Sequence, residues 1–256
     1  MTLQLPSPHV SGLGIRCGVG GGRLAALALT VVLMLAGVVP APALAITNDW
    51  AFEAGIASAK MSRGVDISYQ EPSVSAAANW YPNSDIFAAA SVATYRMGNT
   101  VTGVESVDNL GYRWRLRSDW SAQAMYSHYQ FLRAPQAAHM NYDELVLTAG
   151  WHDAVYASVA VSPNTAFGPS PRALALAYDL VGRLPLVGGW TASAGIGYYD
   201  LHQQLDIGYV YGNAALTYQC RAWQFDVGYY MTNGVAKATL GHAASNRLVA
   251  DVVRHF

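Results

Sequence analysis

The sequence predicts an all-β fold: an antiparallel, up-and-down transmembrane β-barrel of about 12 strands, with 10–14 the range its boundaries allow. Three observations predict it. Twelve segments alternate large apolar residues with small or polar ones at period two, the pattern of strands. The links between them alternate short and long. The seven tryptophans gather at every second link. If the segments form a meander, Trp50, Trp80, Trp114, Trp120, Trp151, Trp190 and Trp223 all lie at one end of it. Indole rings favour a membrane–water interface, where the ring is buried and the N–H stays wet. A ring of them at the short-turn end reads as the periplasmic aromatic girdle of a barrel.

The chain opens on a leader. Arg16 and Arg23 precede the apolar run LAALALTVVLMLAGVV at 24–39, and APALA at 41–45 ends in small residues of the A-x-A kind. This pattern is a secretory signal peptide over 1–45, cut after Ala45, with the barrel over 46–256. The apolar run falls short of the ~20 residues of a membrane-spanning helix. No cysteine stands at the cleavage site, so a lipoprotein signal is not expected.

The leader carries two of the 15 Lys and Arg, so 13 face 16 Asp and Glu in the mature chain. That slight acidity excludes a nucleic-acid partner, which calls for a basic excess. Charged residues make up 12% of the whole sequence, half the ~25% of soluble domains. With 16 Tyr and 24 Gly, the composition suits a barrel that faces lipid outside and packs small residues inside.

The strand segments run near 49–59, 72–81, 85–95, 105–117, 120–131, 141–151, 154–162, 172–181, 190–200, 206–219, 222–231 and 247–256. Most have the ~9–11 residues of a tilted transmembrane strand. YPNSD, RSD, HDA and CRA are tight links, and RLPLVGG is somewhat longer. MSRGVDISYQEP, MGNTVTGV, RAPQAAHM, SPNTAFGPSP, LHQQLD and TNGVAKATLGHAASN lie between them. Outer-membrane barrels keep short turns on the periplasmic side and long loops outside. Tyr95, Tyr129, Tyr142, Tyr198, Tyr199 and Tyr230 fall toward the outer ends, where a second girdle is expected.

Alternation assigns the faces. Leu145, Leu147, Ala149 and Trp151 oppose Glu144, Val146, Thr148 and Gly150. Trp223, Phe225, Val227, Tyr229 and Met231 oppose Gln224, Asp226, Gly228 and Tyr230. The first sets face lipid and the second the lumen. The tail RLVADVVRHF places Leu248, Ala250, Val252 and Phe256 on one face. A last strand ending in Phe256 resembles the signal read by the bacterial barrel-assembly machinery. Arg254 departs from that signal, and near the interface its side chain can snorkel at ~0–1 kcal/mol.

The stretch AGIASAKMSRGVDISYQEPSVSAAANWYPNSDIFAAASVAT at 54–94 resembles the opening of an uncharacterised proteobacterial family of exported proteins. The matching residues are Ser62, Arg63, Gly64, Pro72, Val74 and the strand at 84–94. YGNAALTYQCRAWQFDVGYY at 211–230 is similar to that family's late hairpin. The resemblance implies an outer-membrane barrel and implies no activity.

Candidate chemistry is sparse. Six histidines follow the leader (His128, His139, His152, His202, His242 and His255), and none has metal-site spacing. Ser127 and His128 are adjacent on a strand and therefore point to opposite faces, so they are not partners. No catalytic residue, cofactor or metal site is expected. The strongest polar set is Arg113, Arg115 and Arg117 with Glu53, Glu144, Asp179, Asp226 and Asp251, all candidates to line the lumen. One reading is a charged constriction that selects small solutes. The other, favoured because unpaired buried charge is costly, is a mutually neutralising network that fills the bore.

The function expected is a narrow pore or a passive, structural membrane protein, not an enzyme. Its partners are outer-membrane lipid, the barrel-assembly machinery through the last strand, and a small solute. The alternatives are a lipid-modifying hydrolase at the rim and a soluble periplasmic ligand-binding protein.

Overall fold

A computed structural model describes residues 49–97, 101–117, 119–133, 137–165 and 171–256. The leader expected over 1–45 lies outside the described residues. Twelve long strands form the wall: β1 (Trp50–Ala57), β4 (Ser73–Trp80), β5 (Ile86–Met97), β6 (Val101–Arg117), β7 (Trp120–Leu132), β8 (Tyr142–Trp151), β9 (Val155–Thr165), β10 (Ala173–Pro185), β11 (Trp190–Leu201), β12 (Ile207–Cys220), β13 (Trp223–Thr232) and β14 (Arg247–His255). Each pairs antiparallel with its neighbours, and β14 pairs with β1 to close the barrel. The last residue joins that seam, its backbone N–H donating to the Phe52 carbonyl at 2.9 Å. Two further strands, β2 (Met61–Ser62) and β3 (Val65–Asp66), form a small hairpin in the first long loop.

The twelve expected segments are the twelve wall strands. The main changes are at β6, which begins four residues early at Val101, and at β10, which runs four residues on to Pro185 and reduces the longest of the short links to a tight turn. At the other end the loops carry a helical turn at His202–Leu205 and a helix at Gly234–Leu240, which Asn233 caps by accepting from the Ala236 N–H at 3.2 Å.

Period two gives each strand one wet and one apolar side. On β8, Leu145, Leu147 and Trp151 are exposed, while Glu144, Val146, Thr148 and Gly150 are buried in the lumen. Every wall strand adds to the outer band, from Phe52 on β1 and Val74 on β4 round to Val227 on β13 and Leu248 on β14. Soluble monomers rarely expose an apolar patch beyond a few hundred Å². Here the band encircles the molecule, so its solvent is lipid.

Trp50, Trp120, Trp190 and Trp223 open their strands, Trp80 and Trp151 close theirs, and Trp114 lies near the end of β6. All seven therefore stand at the short-turn end, on the outward face. Trp50 pairs across strands with Trp80, and Trp120 with Trp151. Arg254 is also outward, with its guanidinium over the rings of Trp223 (5.5 Å) and Phe256 (4.7 Å). It covers interfacial rings rather than bare lipid.

The tyrosines correct an expectation. Of the six assigned to an outer girdle, only Tyr198 faces outward, paired with Tyr178 and Val210. Tyr95, Tyr129 and Tyr199 are buried in the lumen, Tyr142 stacks on Tyr129 at 4.3 Å, and Tyr230 packs against Ala59, Met61 and Val249. Their height along the strands was as expected, and their parity was not, save at Tyr230, which alternation along its strand had placed on the lumen side. Tyr129, for example, alternates with outward His128. Glycines on neighbouring strands let inward rings lie along the wall. Tyr95 covers Gly103 and Phe87 covers Gly111, so closely that a Cβ at either glycine would enter the ring.

Candidate functional site

The first long loop folds into the barrel instead of standing in solvent. Its hairpin β2–β3 turns through Arg63 (φ 47°) and Gly64 (φ 77°), two left-handed residues as a type I′ turn requires. Arginine is a poor choice at such a position, and a non-glycine residue there is a pointer to function. The reason lies in its side chain. The Arg63 Nη2 donates to Glu144 Oε2 on β8 at 2.5 Å, and its guanidinium carbon sits 4.4 Å from the Tyr199 ring centre. The Tyr209 hydroxyl donates to the Arg63 carbonyl at 3.3 Å. Burial opposes the charge on Arg63. The Glu144 carboxylate, with the tyrosines around it, outweighs that and holds the guanidinium protonated above its ordinary value.

Three more ion pairs tie the loop to the wall. Lys60 meets Glu105 on β6 at 3.1 Å, and Asp66 meets Arg247 on β14 at 2.6 Å. Glu71 meets Arg96 on β5 at 2.7 Å, in a more exposed setting. Asp66 also accepts from the backbone N–H groups of Ser68 and Gln70, both at 2.8 Å, which fixes the return of the loop. Val65 on the hairpin joins a buried cluster with Phe87, Met125, Val146, Tyr199, Leu201 and Tyr209. The loop is thus a plug with an apolar seat and ionic ties to four wall strands, β5, β6, β8 and β14.

The expected lumen charges take other partners than foreseen. Glu144 is inward and buried, paired with Arg63. Glu53 lies 3.4 Å from His255 Nδ1. Asp179 accepts from the Tyr211 hydroxyl at 2.5 Å. Asp226 accepts from Thr217 and from Gln224, the latter at 2.7 Å, and faces Asp251 in the β13–β14 register. Arg113 turns inward with its guanidinium carbon 5.9 Å from the Phe87 ring, and Arg115 is exposed near the short-turn end. The Arg117 side chain lies outside the described residues.

Among the described residues no ion pair joins Arg113 or Arg115 to those acids, so these two arginines do not neutralise them. The reason is spacing. At ~4.8 Å per strand, β6 and β1 are about 14 Å apart along the wall, and β13 is farther. Glu144 on the nearer β8 lies four residues beyond the level of Arg113, which the register aligns with Gln123 and Thr148. Lys60, Asp66, Glu71, Arg96, Glu105 and Arg247 were not singled out by the sequence reading, and Arg63 entered it only as a motif residue.

Ser127 and His128 do point apart. Ser127 is fully buried and donates to Asn109 at 2.7 Å inside. His128 is outward, its Nδ1 2.7 Å from Asp143.

A closed antiparallel barrel with a continuous apolar outer band, an aromatic short-turn end and a polar, loop-plugged interior is a transmembrane β-barrel of the outer-membrane type. No protein-family model matches the chain, and no curated protein matches it. Among solved structures it is similar to the KdgM porin, with a TM-score of 0.51 at 13% identity over 80% of this chain and 99% of that one. A second structure, the KdgM porin in complex with disordered oligogalacturonate, gives 0.50 at 10% identity, covering 81% and 99%. An outer membrane channel from Pseudomonas putida F1 gives 0.46 at 11% identity, covering 86% and 100%. At such identities the likeness is one of fold.

Proposed function

We propose that the protein is a narrow outer-membrane pore whose outer mouth is held shut by its own first loop. The observation that carries this is the Arg63 hairpin seated inside the lumen. A structural barrel of 12 strands needs no removable plug. The seat here consists of ion pairs and hydrogen bonds to a separate segment, which can be exchanged for water. Inward rings lying along the wall at Gly103 and Gly111 leave the axis to the loop. The short turns and the tryptophans face the periplasm, the long loops face outward, and the last strand with Phe256 delivers the chain to the barrel-assembly machinery. The exported leader over 1–45 belongs to the same reading.

Planar-bilayer recording tests it. The unaltered protein should conduct rarely, and a variant with residues 59–71 replaced by a short Gly-Ser link should conduct steadily. A shortened variant that shows heat-modifiable mobility, the sign of a folded barrel, and carries no current would make the barrel structural.

A further inference from the structure

We propose that the chamber filled by Arg63 is a binding site for a solute bearing a guanidinium or ammonium group, and that Arg63 occupies it as a built-in stand-in. This rests on the pore reading, because a solute reaches the chamber only when the loop withdraws.

The chamber is made for a cation. Its floor is Glu144, 2% exposed, and its side is the face of Tyr199. A carboxylate with aromatic faces around it is the common recognition set for organic cations. Among the described residues the wall supplies Glu144 with no cation of its own. Its counter-charge arrives with the loop, as does that of Glu105, which Lys60 neutralises. When the loop leaves, the inward carboxylates of Glu144 and Glu105 stay behind without their cations, and Arg247 remains on β14 without Asp66. Two inward carboxylates that have lost their counter-charges attract a cation, so the vacated chamber favours one in place of the cation it lost.

A second observation shows that Arg63 fills the site incompletely. It meets Glu144 through Oε2, while Glu144 Oε1 is buried without a hydrogen-bond partner. The Leu145–Val161 register places Ser162 of β9 beside Glu144. Ser162 is 1% exposed, and its hydroxyl is also without a partner. In the seated hairpin one guanidinium nitrogen of Arg63 is hydrogen-bonded to the carboxylate, through Oε2 alone. A free guanidinium can meet both oxygens, and two parallel N–H···O bonds are stronger than one.

The test uses the full mature chain refolded in detergent, with argininamide as probe, by isothermal titration. Arg63→Ala should bind argininamide at least about tenfold more tightly than the unaltered chain, since the internal competitor is gone. Adding Glu144→Gln to Arg63→Ala should reverse that gain. An Arg63→Ala chain that binds no tighter than the unaltered one overturns the site, as does a double variant that binds as well as the single one. If Arg63→Ala fails to fold, the loop-shortened chain with and without Glu144→Gln gives the same comparison. The two readings fail separately. Tight binding without current in the loop-shortened chain removes the pore and keeps the site. Steady current without binding removes the site and keeps the pore.

Discussion

Glu144→Ala is expected to turn a rarely conducting protein into one that opens readily. The substitution removes the partner of a guanidinium that is itself buried in the lumen. Breaking such a pair costs ~3–5 kcal/mol, because the remaining charge keeps its desolvation penalty and loses its compensation. Arg63 escapes that penalty if the hairpin leaves the lumen for water. The barrel wall has no comparable escape and no need of one. Its strand ladders and outer band do not involve the Glu144 carboxylate. The cost therefore falls on the seated state of the loop, and a shift of that size moves a two-state equilibrium by more than about a hundredfold. Open probability in planar bilayers should rise accordingly, with heat-modifiable mobility retained. Glu144→Gln keeps an acceptor for Arg63 and should lie between the two. An alanine variant that is folded and as closed as the parent would mean that the ion pair does not hold the loop.

Gly64→Val should unseat the same hairpin through sterics alone. Gly64 has a φ of 77°, in the region that β-branched residues avoid. A Cβ there would stand 2.7 Å from the Tyr211 Cβ and 2.8 Å from the Thr232 Cγ2, with the Met231 carbonyl oxygen at 3.2 Å. Those atoms belong to the wall strands β12 and β13 and cannot swing aside as a flexible side-chain end can. Left-handed strain of ~1–2 kcal/mol adds to an overpacking cost of ~1–3 kcal/mol. The readout is proteolysis. In the parent, the Arg63 side chain is held against Glu144 in the lumen and trypsin should not cut after it. In Gly64→Val the hairpin hangs in solvent, and cleavage after Arg63 should be rapid while the wall stays intact. Equal resistance in the two proteins would place the loop elsewhere.

Much of this barrel was legible in its sequence, because one physical rule governs each strand. A strand between lipid and a wet lumen must alternate, so Leu145, Leu147 and Trp151 against Glu144, Val146 and Thr148 could be read directly. The tryptophans marked one end, because interfacial rings cluster by height, and height follows from position along the strand. The tyrosines showed the limit of that argument. Height alone does not give face, and Tyr129, Tyr142 and Tyr199 turn inward as seats for the plug.

The plug itself was hidden for a different reason. SRGVDISYQEP is polar and rich in turn residues, as any solvent-exposed loop is. Its partners Glu144 and Arg247 lie far along the chain, and no local pattern links them to Arg63 and Asp66. One signal was available. Glu105 and Glu144 fall at inward positions near the long-loop ends of their strands, whereas the arginines of β6 sit near its other end. Acids so placed call for cations from a loop. Charges on β1, β6, β8, β10, β13 and β14 were instead assigned to one another, which ignored the size of the barrel.

The seat of the loop can be measured directly by cysteine labelling, with Cys220→Ser as background. Val65 lies buried on the hairpin, and Tyr69, four residues on, is exposed. In intact cells a membrane-impermeant maleimide should label Tyr69→Cys quickly and Val65→Cys slowly. Adding Glu144→Ala should bring Val65→Cys to the fast rate. Labelling of Val65→Cys as fast as Tyr69→Cys in the otherwise unaltered protein would contradict a loop seated in the lumen, and with it the closed pore.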